Sequence, residues 1–262
     1  MTTIIARAAE SVHWYRQDGG PQYTVPAKDG SDRPTTLRDA RKMNLVPSVT
    51  TVMKIAAKPG LDVWKNEQLL LAAMTLPRIS TESEKDFIVR VIADSKETGK
   101  RAAERGTRVH ESIDLWYSGI RPTEHEDICR SFEESVFDHF KTHPFQQWET
   151  EVSFSHEFGF GGKTDLFTRP DEHAPVGIVL DAKTKEFGVD DSIPAYDENL
   201  MQLAAYRIGL GMPHARCANV FASVSYPGLV KVHEWSEEDL QRGWKMFQAL
   251  LSFWKLKNKF GE

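Results

Sequence analysis

The stretch G-I-V-L-D-A-K-T-K-E-F, residues 177–187, places a carboxylate and an ammonium group at the end of an apolar run. The run itself is rich in aliphatic residues and is typical of a buried strand. Because side chains alternate along a strand, Asp181 and Lys183 share one face, whereas Leu180 and Ala182 share the other. The pair fits either a strand that becomes polar where it leaves the core or a metal-dependent phosphodiesterase site.

The composition is that of an ordinary globular protein. The chain has 262 residues, of which 40% are hydrophobic and 27% are charged, with a net charge of −5. That length fits one large domain, or one domain with an appendage. The net charge alone does not indicate nucleic-acid binding. No apolar run approaches the ~20 residues that span a bilayer, so we expect no membrane association.

The N-terminal residues and the number of cysteines bear on the cellular compartment. Residues 1–10 lack the basic and apolar regions of a secretory signal, and they resemble a mitochondrial leader only weakly. Cys129 and Cys217 are too few for a disulfide framework or a four-cysteine cluster. We therefore expect a cytoplasmic protein, in a bacterial or phage-infected cell.

The first half of the chain is predicted to be mainly helical. Residues 13–25 read as a hairpin around Asp18-Gly19-Gly20, and residues 26–36 read as a loop. Helices are predicted over 47–57, ended by Lys58-Pro59-Gly60, and then over 61–75, 83–118 and 124–142.

From about residue 147 the pattern changes to strands. Strands are predicted over 148–156, 161–169, 176–184, 217–226 and 229–235, with a helix over 195–211 and a last helix capped by Ser236. The expected fold is α/β with α+β character: a mixed central sheet flanked by helices and preceded by a mainly helical region. We divide it into an N-terminal region, 1–95, and a core, 96–262.

Two Asp-x-Lys sequences occur, and they differ in context. Asp94-Ser95-Lys96 lies in a helical pattern, where the two charged residues point in different directions, and is predicted to be a solvated surface. Asp181 instead follows the strand that carries Asp165, which is its predicted neighbour in the sheet. Two carboxylates that converge repel each other unless a cation lies between them, and Mg²⁺ prefers such oxygen ligands.

Other residues are also predicted to lie near Asp165 and Asp181. His110 shares a helix face with Gly106, which would allow close approach to the sheet, and with Thr107. Glu151 opens the first strand, and Gln202 and Tyr206 are spaced i, i+4 on the following helix. Each residue singly also fits an ordinary core or surface position, so the hypothesis depends on their order and spacing together.

A basic helix face precedes His110. Arg101, Arg105 and Arg108 follow i, i+4, i+7 spacing and share one side of the predicted helix. Such a face is either solvated or follows a phosphate backbone. Trp14, Tyr15 and Trp64 are candidate stacking residues that also suit core packing.

Four motifs in this order, G-T-R-V-H, G-G-K-T-D, L-D-A-K and Q-L-A-A-Y, resemble the PD-(D/E)XK nuclease superfamily and its RecB-like exonuclease branch. The resemblance covers residues 100–210. P-S-V-T-T-V-M and K-P-G-L-D-V-W-K upstream also resemble phage exonucleases and the mitochondrial genome-maintenance exonuclease.

The resemblance implies a restriction-endonuclease-like core that binds Mg²⁺ or Mn²⁺. It implies metal ligands at His110, Asp165, Asp181 and the Ala182 carbonyl, with a catalytic role for Lys183. Gln202 and Tyr206 would position the substrate. Asp181 stands where many relatives have Glu, and two cysteines exclude the iron–sulfur subgroup.

The sequence therefore predicts a metal-dependent exonuclease that acts on DNA ends or single strands in replication, recombination or repair. Two other classes stay open. One is a silent DNA-binding module on the same fold. The other is a metal enzyme of different specificity, such as a structure-specific or RNA-directed endonuclease. A recombination or single-strand-binding partner protein cannot be identified.

Overall fold

The computed structural model describes residues 13–143, 146–172 and 175–261. Its first elements, in chain order, are β1 (Trp14–Tyr15), β2 (Thr24–Pro26), β3 (Asp32–Pro34), α1 (Leu37–Met43), β4 (Val46–Pro47), α2 (Val49–Met53) and α3 (Pro59–Thr75). They are followed by α4 (Glu84–Tyr117), α5 (Glu126–Phe140), β5 (Glu149–His156), β6 (Phe160–Thr168), β7 (Ile178–Lys185), α6 (Asp197–Gly209), β8 (Arg216–Ser223), β9 (Val230–Trp235) and α7 (Glu237–Asn258).

The second half of the chain forms one mixed sheet of five strands in the order β5-β6-β7-β8-β9. Neighbouring strands are antiparallel, except that β7 runs parallel to β8. That parallel pair needs a crossover connection, and α6 supplies it. The sequence prediction of these strands and of α4 to α7 is confirmed to within a few residues at each end.

The sheet is covered on both faces. Val179 and Phe167 pack with α6, α7 and α2 in one core, whereas Leu180 and Ala182 pack with α4 and α5 in the other. The alternation along β7 thus separates the two cores as predicted, and it directs Asp181 toward α6. The Asp181 carboxylate is therefore buried at the interface between β7 and α6.

Helix boundaries follow local capping. The side-chain oxygens of Ser48, Ser83 and Ser236 accept backbone N–H hydrogen bonds at the starts of α2, α4 and α7. α4 runs without a break across the boundary predicted at 95–96. Trp14 of β1 lies in the same hydrophobic core as α6 and α7, so the N-terminal strands and the sheet share a core.

The N-terminal prediction was partly wrong. β1 pairs with β4 and β2 pairs with β3, so residues 13–25 form no continuous hairpin. The predicted turn itself is present, closed by the bridge Tyr15–Pro21 and by backbone hydrogen bonds from Arg16 to Gly20 and from Gln22 to Trp14. The predicted loop 26–36 contains β3, because its backbone supplies the partners of β2.

Two helix predictions also need correction. α1 was not predicted at all, and α2 ends at Met53, before the predicted end at 57. Pro59 begins α3 instead of ending α2, because proline needs no N–H partner in the first helical turn.

No helix in the described ranges combines the length and apolar character needed to cross a bilayer. The prediction that no secretory signal is present concerns residues 1–10, which lie outside those ranges.

Candidate metal and catalytic site

Asp181 lies at the centre of a hydrogen-bonded group between β7 and α6. Its carboxylate is 1% exposed. Oδ1 accepts from Lys183 Nζ at 2.6 Å and from Gln202 Nε2 at 2.9 Å, and Oδ2 accepts from Asn219 Nδ2 at 2.6 Å. The donors come from β7 itself, from α6 and from β8, so the carboxylate is held in one orientation. Buried carboxylates are stable only with such partners.

The charges of this pair are set by burial and by each other. Burial raises the pKa of Asp181 above its ordinary value, against the opposing influence of the Lys183 ammonium. Burial alone would lower the pKa of Lys183, but the carboxylates of Asp181 and Asp165 raise it overall. Lys183 is therefore an ammonium ion that donates hydrogen bonds and offsets negative charge, and in this state it is not a base.

Three side chains next to this pair form a candidate metal-binding cluster. His110, Glu151 and Asp165 each offer a ligand atom, and these atoms lie within 4.8 Å of one another. They line an open cleft of about 470 Å³, together with Thr107 and Lys163. A nitrogen and two carboxylates from α4, β5 and β6 can hold one divalent cation.

α4 can reach the sheet because it carries a glycine opposite β7. A Cβ atom at Gly106 would stand 3.2 Å from Thr184 Oγ1, which is tighter than ordinary contact. His110 lies one turn further along this helix, and its Nδ1 is 3.6 Å from Asp165 Oδ2. The close approach of α4 predicted from Gly106 is therefore confirmed.

Burial and neighbouring charges shift the pKa values of His110 and Asp165 in opposite directions. Burial alone would lower the pKa of His110, but the Asp165 carboxylate raises it above its ordinary value. Burial would raise the pKa of Asp165, but His110 and Lys183 lower it overall. A metal ion binds the neutral imidazole, so metal binding at His110 would compete with a proton.

Glu151 has an unusual backbone. It lies opposite Asp165, between the paired residues Thr150–Leu166 and Val152–Thr164, and its φ angle is +53°. Non-glycine residues rarely adopt this left-handed conformation, and such strain is concentrated at functional sites. The Glu151 carboxylate forms an ion pair with Lys163.

Three further predicted residues, Ala182, Gln202 and Tyr206, differ in how they contact the site. Ala182 reaches the cluster through its backbone N–H, which donates to Asp165 Oδ2 at 2.9 Å. Gln202 bridges Asp181 and Tyr206, since its amide also donates to the Tyr206 hydroxyl at 3.1 Å. Tyr206 itself is buried. The roles assigned to these residues from the sequence stay predictions.

The predicted basic face is exposed, but it is not purely basic. Arg101 pairs with Glu97 at 3.1 Å, Arg105 with Glu186 at 3.3 Å, and Arg108 with Glu124 at 3.9 Å. Each arginine therefore has an acidic partner, so the face is closer to neutral than the arginine spacing suggests. These surface pairs are weak and can exchange for phosphate.

Among the candidate stacking residues, Trp14 and Tyr15 are buried in the core, whereas Trp64 is 36% exposed. Both charged residues of the second Asp-x-Lys, Asp94 and Lys96, lie on the exposed surface of α4, as predicted.

Sequence reasoning missed two residues of the site, Asn219 and Lys163. Asn219 lies directly beside Asp181 in the parallel register of β7 and β8, and its Oδ1 accepts from Trp235 Nε1 at 2.8 Å. Asn219 is the polar residue within the apolar run of β8, which is the signal that could have identified it. Lys163 stands inside the quoted G-G-K-T-D motif, but its pairing with Glu151 depends on the strand register.

Comparisons with known proteins include two solved structures of low sequence identity. No family model and no curated protein matches the chain. The structure of SSO0001 is 17% identical, with a TM-score of 0.30, and the match covers 74% of this chain and 87% of that one. A protein of Eubacterium rectale described as a candidate exonuclease is 13% identical, with a TM-score of 0.37, covering 60% and 69%. Any function must therefore be argued from the geometry of the site.

Proposed function

We propose that the protein is a metal-dependent DNA exonuclease of the PD-(D/E)XK type. The observation that carries this proposal is one arrangement: the cluster of His110, Glu151 and Asp165 lies beside the ion pair of the buried Asp181 with the partly exposed Lys183. A divalent-cation site next to an ammonium group can supply the Lewis acid and the charge stabilisation that phosphodiester hydrolysis uses. The four motifs that resemble this superfamily contain every residue of the arrangement except Glu151.

The donor set suits Mg²⁺ or Mn²⁺. Carboxylate oxygens are the ligands that both ions prefer, and the imidazole of His110 adds a nitrogen that Mg²⁺ uses less readily. A bound cation would supply Lewis-acid activation of the phosphodiester and of an attacking water. His110, Glu151 and Asp165 would hold it, with Asp181 as a further proposed ligand.

Lys183 would act on the phosphate. Its ammonium group has movable donors and lies 2.6 Å from Asp181, so it can turn toward a phosphoryl oxygen or an attacking water. Charge develops on those oxygens during hydrolysis, and a preorganised cation stabilises it. Gln202 and Asn219 would keep the Asp181 carboxylate in place when Lys183 moves to the substrate.

The test is hydrolysis of end-labelled DNA with Mg²⁺, with Mn²⁺ and with EDTA. The wild-type protein should release short products with either metal and none with EDTA. Lys183→Ala should lower the rate by about 100-fold or more, which is the usual cost of losing a stabilising donor. Lys96→Ala, in the exposed Asp-x-Lys of α4, is the matched control and should retain full activity.

Metal binding should separate the roles further. Lys183→Ala should leave Mn²⁺ affinity within a few-fold of wild type, whereas Asp165→Asn or Asp181→Asn should weaken both binding and cleavage. Wild-type turnover by Lys183→Ala would disprove the assignment, as would full activity in EDTA. Binding of DNA by a wild-type protein that never cleaves it would favour the silent module.

A further inference from the structure

A second cleft, of about 780 Å³, adjoins the proposed catalytic site at the end of β7. Its walls come from the α2–α3 connection, the first turns of α3 and α6, the last residue of β7 and the middle of α7. The side chains that define its character are Trp64, Lys185, Tyr196, Met201 and Met246. The flat and flexible apolar surfaces suit a planar ligand.

Tyr196 gives this cleft an available aromatic ring. It is 53% exposed, and the Lys185 ammonium group lies 5.3 Å from the ring centroid. Trp64 lies across the cleft on α3, packed close to Gly99 of α4. An exposed ring beside a cation is the arrangement by which proteins bind single-stranded nucleic acid without reading its sequence.

The charged groups that line the cleft, apart from Lys185, are held in ion pairs. Lys58 pairs with Glu198 at 3.6 Å, and Asp197 pairs with Arg242 at 3.0 Å. Lys185 is the cation whose described contact is an aromatic ring and not a carboxylate. The cleft is therefore suited to an uncharged planar group with one anion near Lys185, and not to a row of phosphates.

The cleft continues directly from the catalytic residues. Asp181, Lys183 and Lys185 alternate along β7 and share one face, so consecutive members are spaced by about 7 Å. On α6, Met201 of the cleft precedes Gln202 of the catalytic site. A chain that places a phosphate at Lys183 can place its neighbouring nucleotide at Lys185 and Tyr196.

We propose that this cleft binds a base of a single DNA strand whose scissile phosphate lies at Lys183. This inference rests on the proposed nuclease function and specifies its substrate class. A base stacked within a duplex cannot enter the cleft without being unstacked, which costs free energy. The site therefore selects single strands and frayed ends over intact duplex.

The test measures binding separately from cleavage. A fluorescein-labelled dT₁₂ oligonucleotide is titrated with protein in EDTA, and fluorescence anisotropy gives the Kd. Tyr196→Ala should weaken binding by about fivefold or more, as loss of one base-stacking contact does. Tyr196→Phe should bind as wild type, because stacking needs the ring and not the hydroxyl. Phe137→Ala removes an exposed ring from α5, on the other face of the sheet, and should change nothing.

An abasic oligonucleotide of the same length identifies the group that is bound. Wild type and Tyr196→Ala should bind it equally, because it offers phosphates without bases. Equal affinity of Tyr196→Ala and wild type for dT₁₂ would overturn the inference, as would an equal loss on the abasic strand. Thermal unfolding of each variant confirms that the exposed position leaves the fold intact.

Cleavage assays on the same preparations keep the two proposals apart. If wild type cleaves DNA with Mg²⁺ but Tyr196→Ala binds dT₁₂ normally, the base site is wrong and the nuclease stands. If wild type cleaves nothing with Mg²⁺ or Mn²⁺ but Tyr196→Ala loses affinity for dT₁₂, the binding site stands and the nuclease proposal fails.

Discussion

The backbone of Glu151 has a conformation that lowers the stability of the fold, whereas its side chain lies in the candidate metal cluster. Its carboxylate belongs to the candidate metal cluster, yet its backbone lies at a φ of +53°. For a residue with a Cβ atom, such a conformation costs about 1–3 kcal/mol. The strand pairing on both sides holds it there, because Thr150 pairs with Leu166 and Val152 pairs with Thr164.

Two substitutions separate the backbone cost from the loss of the carboxylate. Glu151→Gly and Glu151→Ala both remove the ligand, but only glycine adopts the left-handed region without a steric penalty. Glu151→Gly should therefore be more stable than Glu151→Ala by about 1 kcal/mol in urea unfolding. Both variants should bind Mn²⁺ equally weakly. A more stable alanine variant would show that Glu151 is not strained.

The residues found from the sequence are those that local patterns reveal. Asp181 and Lys183 follow from strand alternation, and His110 follows from its helix face and Gly106. Asn219 and Lys163 were missed because their roles depend on strand register, which brings residues from distant parts of the sequence together. A register is decided by the packing of the whole sheet, and no local pattern contains it.

At the scale of elements, the long helix α4 links a surface to the site. Its arginine face precedes His110 and carries three ion pairs. Its prediction was simple because a Ser83 cap and a long 3.6-residue periodicity both indicate a helix. The short N-terminal elements were harder to predict, because strands of two or three residues have too few side chains to show a period.

The arginine face of α4 should contribute phosphate contacts. Exchanging Arg101 and Arg105 for Glu should weaken DNA binding about equally for all sequences and flatten its salt dependence, since phosphate contacts carry no base information. Salt-dependent anisotropy titrations measure both effects. Arg121 and Arg130, which pair with Glu126, provide the control reversal. An unchanged salt slope would show that the arginine face of α4 is a solvated surface and makes no phosphate contacts.

The contact between α6 and α7 includes a buried guanidinium. Arg207 is 2% exposed and binds Glu237 through two hydrogen bonds, of 2.7 and 3.2 Å. These bonds lower the pKa of Glu237 below its ordinary value. The pair therefore stabilises the fold above the unfolded pKa of about 4.3, and this stabilisation is lost as the pH falls through the folded pKa.

Glu237→Gln should lower the free energy of unfolding at pH 7 by about 1 kcal/mol, a modest value because half of the Glu237 side chain is exposed to solvent. The difference from wild type should shrink as the pH falls below about 4.3, where Glu237 in the unfolded wild-type chain becomes protonated. Urea unfolding at several pH values measures it. Glu238→Gln, on the next residue of α7, is the control. A difference that grew toward acidic pH would contradict the assigned sign.

At the scale of the whole molecule, the candidate site joins both halves of the chain. α4 brings His110 to ligands from β5 and β6, while Trp14 and α2 pack into the core that supports α6. α3 supplies Trp64 to the wall of the second cleft. A strand lying on Lys183 and Lys185 would therefore pass between α3 and the end of the sheet.

Such a passage predicts a requirement for a free DNA end. The prediction requires that α3 closes over the bound strand: a linear strand then enters the passage by its terminus, whereas a covalently closed circle has no terminus to enter. Linear and circular single-stranded DNA of the same sequence should be incubated with the protein and Mg²⁺. The linear form should be lost progressively while the circle survives, and linearising the circle with one cut should restore its degradation. Equal rates on both forms would exclude the exonuclease mode and leave an endonuclease that uses the same residues.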